Sequence, residues 1–168
     1  MQLDVRLANY KNRQDADAIL MVLDSYARDE MGGGEPLSAY TREHLIASLD
    51  RLPHAFSFLT WNNDVAVGVI NCFEVFSTFK CKPILNIHDI AVIPNCRGQG
   101  VGIQMLKAVE QEAINRGCCK LTLEVLSGNK PAQRLYSKFG FSDYQLDPKQ
   151  GGALFWEKAL LNSVSEKI

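Results

Sequence analysis

The sequence predicts an α/β (α+β) fold, with a central mixed, mostly antiparallel sheet and helices on both faces. Three observations carry this. Two β-rich runs flank Asn62-Asn63-Asp64 and read as an antiparallel hairpin. A strand, a helix and a second strand follow one another between Ile84 and Leu126, the order of a crossover to a parallel neighbour. No internal repeat, low-complexity tract or long linker divides the chain, so residues 1–168 read as a single domain, long enough to bury a sizeable core.

The elements follow in order. Gln2–Tyr10 alternates enough to form a first strand. Residues 15–30 place Ile19, Leu20, Leu23 and Tyr26 at helical spacing, with acids at the start that suit the helix dipole. "MGGGEPLS" is a loop. "TREHLIASLDRL" is a short helix ended by Pro53. The hairpin runs are "AFSFLTW" and "VAVGVINCFEVF". "ILNIHDIAVIP" is apolar on both faces and reads as a central strand. The next helix puts Val101, Met105, Leu106, Val109 and Ala113 on one side and closes at Gly117. "KLTLEVL" is a buried strand. The last helix starts at Asn129, has Pro131 in its first turn and Gly140 just past its end, and carries an Ala132, Leu135, Tyr136, Phe139 stripe. "SDYQL" and "ALFWEKAL" read as a closing strand pair.

Composition narrows the function. Hydrophobic residues make up 46% and charged residues 22%, ordinary for a globular protein. The formal net charge is -1 and no Lys/Arg tract occurs, so nucleic acid is a poor partner. No apolar run reaches the ~18 residues of a membrane span. Charges throughout Met1–Leu20 replace the apolar core of a signal peptide, and a cytoplasmic location is expected. The five cysteines show no metal-ligand spacing, so no metal is expected, and their odd number argues for reduced thiols.

The informative stretch is "RGQGVG", Arg97–Gly102, between a strand and a helix. Bare backbone at a helix start suits an anion such as a pyrophosphate. A nucleotide triphosphatase loop would need a lysine and a hydroxyl residue after the last glycine, where Ile103 and Gln104 stand. A dinucleotide fingerprint would need G-x-x-G spacing after a first strand, and the frame here is G-x-G-x-G. A purely structural turn is the remaining simple reading.

"RGQGVG" after "V-x-P" resembles the acyl-CoA loop of the GNAT superfamily of N-acetyltransferases. "NKPAQRLYSKFGF", about thirty residues later, resembles that family's N-x-x-A-x-x-x-Y-x-x-x-G-F pattern, and "HDIAV" resembles the corresponding stretch of small-diamine and polyamine acetyltransferases. The resemblance implies a GNAT fold, acetyl-CoA as cosubstrate and acetyl transfer to a primary amine of a small molecule. A protein or peptide acceptor, or a non-catalytic acyl-CoA-binding module, stand as alternatives. The resemblance also implies that backbone N–H groups of Gly98, Gln99, Gly100, Val101, Gly102 and Ile103 face the diphosphate, with Arg97 at the rim or simply solvated. It implies that Ile90, Ala91 and Val92 pair with the pantetheine arm, and that an oxyanion donor lies near Ala91 or Val92 beside a bulge. A homodimer through the last strands is a further expectation from the family.

From spacing alone Tyr136 is a core tyrosine; the resemblance makes it the general acid toward the cofactor sulfur, and a phenol with an ordinary pKa of about 10 is protonated at neutral pH. Asn129 caps its helix, contacts the cofactor, or does both. His88 is structural or the general base. Strand alternation sends His88 and Asp89 to opposite faces unless a bulge intervenes. Asp89, Glu35 and Phe79 are the candidate acceptor contacts, with Glu30, Glu74 and Phe76 as further members of that set.

Overall fold

The computed structural model describes residues 2–144, 149, 151–158 and 160. Its sheet has five strands, β1 (Leu3–Leu7), β2 (Ala55–Asn62), β3 (Val65–Ser77), β4 (Lys82–Val92) and β5 (Leu121–Leu123), in the order β1-β2-β3-β4-β5. The first three pairings are antiparallel and β4–β5 is parallel, as the crossover requires. The helices are α1 (Arg13–Ala27), α2 (Ala39–Asp50), α3 (Val101–Asn115) and α4 (Lys130–Phe139). α3 and α4 cover one face and α1 and α2 the other, so each face of the sheet has its own core.

Local chemistry explains where the helices begin and end. Asn12, Ser38 and Asn129 accept from backbone N–H groups in the first turns of α1, α2 and α4. Gly117 turns with φ +69 after α3, while Cys118 N–H returns to the Ala113 carbonyl. α3 buries the five residues that its periodicity picks out, Val101, Met105, Leu106, Val109 and Ala113.

The decisive irregularity lies between β3 and β4. Asn71 pairs with Asp89 and Cys72 with Ile87, which leaves His88 as an extra residue on β4. Before this bulge Leu85 and Ile87 enter the α3-side core; after it Ile90 and Val92 pack there and Ala91 joins the α1-side core. The bulge has reversed the strand's parity. β5 pairs only with Leu85–Ile87, so β4 from His88 onward has no strand neighbour on that side among the described residues, and the sheet opens into a gap there.

Two expectations are corrected. The strand expected over "KLTLEVL" is confined to Leu121–Leu123, because pairing stops where the β4 bulge carries the backbone away. The closing strand pair is not formed by the described residues: 142–144 and 153–158 lie outside strands, linked by one bond from Ala153 N–H to the Tyr144 carbonyl. Gln145, Leu146 and Ala159, which also belong to those expected strands, lie outside the described residues.

One acid at the start of α1 has a larger task than favouring the dipole. Asp15, 2% exposed, takes two bonds from the Arg6 guanidinium at 2.7 and 3.0 Å and one from Asn9 N–H at 2.9 Å, tying β1 to α1. Burial opposes its charge, yet Arg6 and Asn9 more than offset this and hold the carboxyl below its ordinary range. A depressed carboxyl contributes stability above its unfolded pKa, about 4, and loses it as pH falls through the folded value. Asp15→Asn is therefore expected to lower unfolding free energy by about 2 kcal/mol at pH 7, measured in urea. The same variant should lose less stability than wild type on acidification below pH ~4.

Candidate active site

The cradle is built first from backbone. After β4, a 3₁₀ turn at Pro94–Cys96 delivers the chain to Gly98 and Gly100, whose φ values of +73 and +86 lie in the left-handed region that a Cβ disfavours. Gly100 is the N-cap of α3 and has no side chain to cap it. The backbone N–H groups of residues 98–103 find no acceptor among the described residues. Six successive donors at a helix start are a chemistry that suits an anion, and the dipole of α3 adds partial positive charge. Gly102 is glycine for another reason than room for a ligand. A Cβ there would stand 2.8 Å from Leu135 Cδ2, so its bareness permits α3 to lie against α4.

Arg97 is neither free nor merely solvated. Its Nε donates to the Val92 carbonyl at 3.0 Å and its Nη1 meets Asp29 at 2.6 Å. Asp29 also caps the 3₁₀ turn Glu30–Gly32 by accepting from Met31 N–H. The guanidinium thus joins the cradle to the loop after α1. Asp24 secures the far side of that loop through Arg28, Arg42 and Leu37 N–H.

The gap beside β4 supplies a second recognition surface. Ile93 N–H bonds to Val67 on β3. Two-residue alternation then turns the polar groups of Ala91 toward β3, and those of Ile90 and Val92 toward the gap. Of the three residues expected to pair with an extended ligand, Ile90 turns its backbone N–H and carbonyl to the gap and Val92 its N–H, its carbonyl being held by Arg97, while Ala91 faces β3. An amide-bearing chain entering here would act as a short added strand between β4 and β5.

Tyr136 lies in the core on the α3–α4 face, 7% exposed, with its ring edge-on to Phe141. Burial, with a further contribution from Tyr26, pushes its pKa up to about 12. Tyr26 belongs to α1 on the opposite face, so the two phenols feel each other where the sheet is open. Tyr26 donates to the Met31 carbonyl at 3.1 Å and is itself raised, first by burial and then by Asp89.

The expected opposition of His88 and Asp89 is overturned by the bulge. Asp89 accepts from Asn71 Nδ2 at 2.9 Å, and the His88 ring lies edge-on to Phe73, 5.5 Å between centroids. Asn71 and Phe73 are two apart on β3 and share a face, so His88 and Asp89 both serve the α1 side. His88 is exposed and Asp89 half-buried.

The remaining candidates divide. Asn129 caps α4 through a 3.2 Å bond from Ala132 N–H. Glu35 is exposed in the loop before α2. Glu74 turns to the other face, where Arg116 holds it at 3.7 Å. Phe79 is 94% exposed at the tip of the β3–β4 hairpin, roughly 23 Å along β4 from Asp89 by strand rise, and is not brought to the gap. Tyr26 and Asp29 were not singled out for the site from sequence, since nothing in helical spacing marks a residue that meets a partner through an open sheet. Asn71 had a signal, a polar residue within the apolar run "VAVGVINCF". Among the described residues no cluster of His, Cys, Asp or Glu could hold a metal ion, and no helix is long and apolar enough to cross a membrane.

Comparison with known proteins agrees with this geometry. A family model described as "Acetyltransferase (GNAT) family" matches residues 19–141. Over 79 residues the chain is 37% identical to thialysine N-epsilon-acetyltransferase of Mus musculus, covering 47% of this chain and 46% of that protein. The chain spans about half the length of the curated relatives it matches. A crystal structure of a transcriptional regulator from Bacillus halodurans C-125 has the same fold at a TM-score of 0.77 and 17% identity, covering 95% of this chain and 100% of that one. An aminoglycoside N-acetyltransferase in complex with CoA has it at 0.70 and 17% identity, covering 95% and 96%.

The glycines make separable demands. Gly100→Ala is expected to cost about 1 kcal/mol through its left-handed φ alone, read as a shift in the urea midpoint. Gly102→Ala should destabilise through Leu135, and Leu135→Ala in the same chain should relieve that component, giving non-additive losses.

Proposed function

Because the chain belongs to the GNAT acetyltransferase family, we propose that it is an enzyme that moves the acetyl group of acetyl-CoA to a primary amine of a small molecule. Three observations support this: a helix start with six successive N–H groups that lack acceptors among the described residues, a β4 strand whose pairing with β5 ends at Ile87, and a buried phenol on α4. Donors without an acceptor among the described residues fit a diphosphate, and the Ile90 backbone and Val92 N–H fit the amides of a pantetheine arm. When bound, acetyl-CoA supplies an activated thioester carbonyl.

The chain's own groups meet the other needs of direct transfer. The backbone N–H of Val92 or Ile90 is placed at the gap to donate to a carbonyl oxygen as charge grows on it. Tyr136, kept protonated by burial, holds a proton for the departing thiolate at its hydroxyl. His88, exposed at the bulge, accepts the amine proton directly or through one water, and Asp89 contacts the acceptor. Similarity to a thialysine acetyltransferase supports a small cationic amine over a protein acceptor. The loop tied by Asp24 and Asp29 stands on the same side as Asp89 and His88, where it can wall a pocket for such a molecule.

Tyr136→Phe is expected to lower kcat by about a hundredfold or more, followed by thiol release across a panel of diamines, amino acids and aminoglycosides. Acetyl-CoA affinity by calorimetry should stay within about threefold of wild type. Tight acetyl-CoA binding with no acetylation of any amine, amino acid or peptide would leave a non-catalytic binding module; labelling of lysate proteins instead of small amines would move the acceptor to protein.

A further inference from the structure

The loop that follows α1 is held by polar bonds more than by packing. No residue of its 3₁₀ turn, Glu30–Gly32, is buried, and Gly33, Gly34, Glu35 and Pro36 are exposed. Gly33 and Gly34 take φ values of +109 and +79, so glycine answers a conformational need here and brings no side chain to pack. Gly32 has a steric reason as well, since a Cβ would stand 1.9 Å from the Tyr26 carbonyl oxygen. A segment with so little apolar contact takes its order from its hydrogen bonds.

Those bonds meet at Asp29. Its N–H donates to the Tyr26 carbonyl at 2.9 Å, and its own carbonyl accepts from Gly32 and Gly34 N–H at 2.9 and 3.0 Å. Its Oδ1 accepts from Met31 N–H at 3.1 Å, while the Tyr26 hydroxyl donates to the Met31 carbonyl. All of these lie within residues 26–34, so they shape the loop against α1 without tying it to the sheet. The other carboxylate oxygen does that. Arg97 Nη1 donates to Asp29 Oδ2 at 2.6 Å, and Arg97 Nε holds the carbonyl of Val92, the last residue of β4, at 3.0 Å. Among the described residues no other hydrogen bond or ion pair joins residues 29–34 to β4 or the cradle.

We infer that Asp29 is a positioning residue for the acceptor: through Arg97 it pins residues 29–34 beside the end of β4, so that the incoming amine meets a formed wall. Acceptor affinity is thereby tied to the same segment that carries the cradle. The inference rests on the acetyltransferase reading and deepens it by giving acceptor binding a residue that touches neither the amine nor the cofactor.

Asparagine at position 29 would keep an oxygen for Met31 N–H and remove the charge that faces Arg97, so the turn survives while the tie is lost. The side chains of Arg97 and Asp29 are 44% and 22% exposed, which limits the effect to that of a partly screened pair. In the full chain, Asp29→Asn is expected to raise the KM of the best acceptor in a panel of diamines, amino acids and aminoglycosides about fivefold. Its kcat should stay within about twofold, and acetyl-CoA affinity by calorimetry within about threefold. Arg97→Met should raise the same KM, and adding Asp29→Asn to it should change that KM by less than about 1.5-fold. Trypsin supplies a readout that needs no turnover: Arg97→Met should quicken cleavage after the exposed Arg28 about fivefold, with little change in the urea midpoint. If Asp29→Asn fails to fold, Arg97→Met carries both measurements. KM effects that multiply in the double variant, an acetyl-CoA affinity that falls while the amine KM stays, or an unchanged cleavage rate would overturn the inference while wild-type turnover still supports the acetyltransferase reading. A wild-type protein that acetylates no amine of the panel overturns both.

Discussion

One extra residue on β4 governs the site. With His88 bulged out, the strand leaves its parallel neighbour after Ile87 and its inward and outward positions exchange. Both effects are needed. Loss of the neighbour leaves the Ile90 backbone and the Val92 N–H without a strand partner among the described residues, and exchanged parity puts Asp89 on the α1 face while returning Ile90 and Val92 to the α3 core. A regular strand would have sealed the sheet at this position, because an unpaired edge inside a sheet is ordinarily filled by another strand.

The two layers also influence one another electrostatically. Tyr136 rises from α4 and Tyr26 from α1, on opposite faces, yet the second contributes, after burial, to the raised pKa of the first. Asp89 in turn contributes, after burial, to the raised pKa of Tyr26.

Charge is distributed with the same economy. Three aspartates are cancelled by arginines and serve architecture: Asp15 ties β1 to α1, Asp24 ties α1 to α2, and Asp29 ties the loop after α1 to the cradle through Arg97. Arg97 sits at the meeting point of the cradle, the β4 carbonyl of Val92 and that loop, so the two halves of the site share one cation. Asp89 by contrast accepts from an amide and has no ion pair among the described residues.

Much of this was written locally in the chain. The glycines at 98 and 100, the cap at Asn129, Gly140 after α4 and the apolar stripe of α3 are decided by residues a few positions apart, and each stands where its spacing put it. The mixed sheet with helices on both faces follows equally from local periods and connection lengths. The bulge at His88, the early end of β5 and the turn of Glu74 toward Arg116 do not. They depend on register between strands far apart in sequence, where a shift of one residue changes which face every later side chain occupies. The elements and the cradle's bare backbone are thus legible along the chain, since φ preference and periodicity are local properties. Which polar groups share the gap is set by long-range pairing and by the place where pairing fails, and is legible only once the strands are in register.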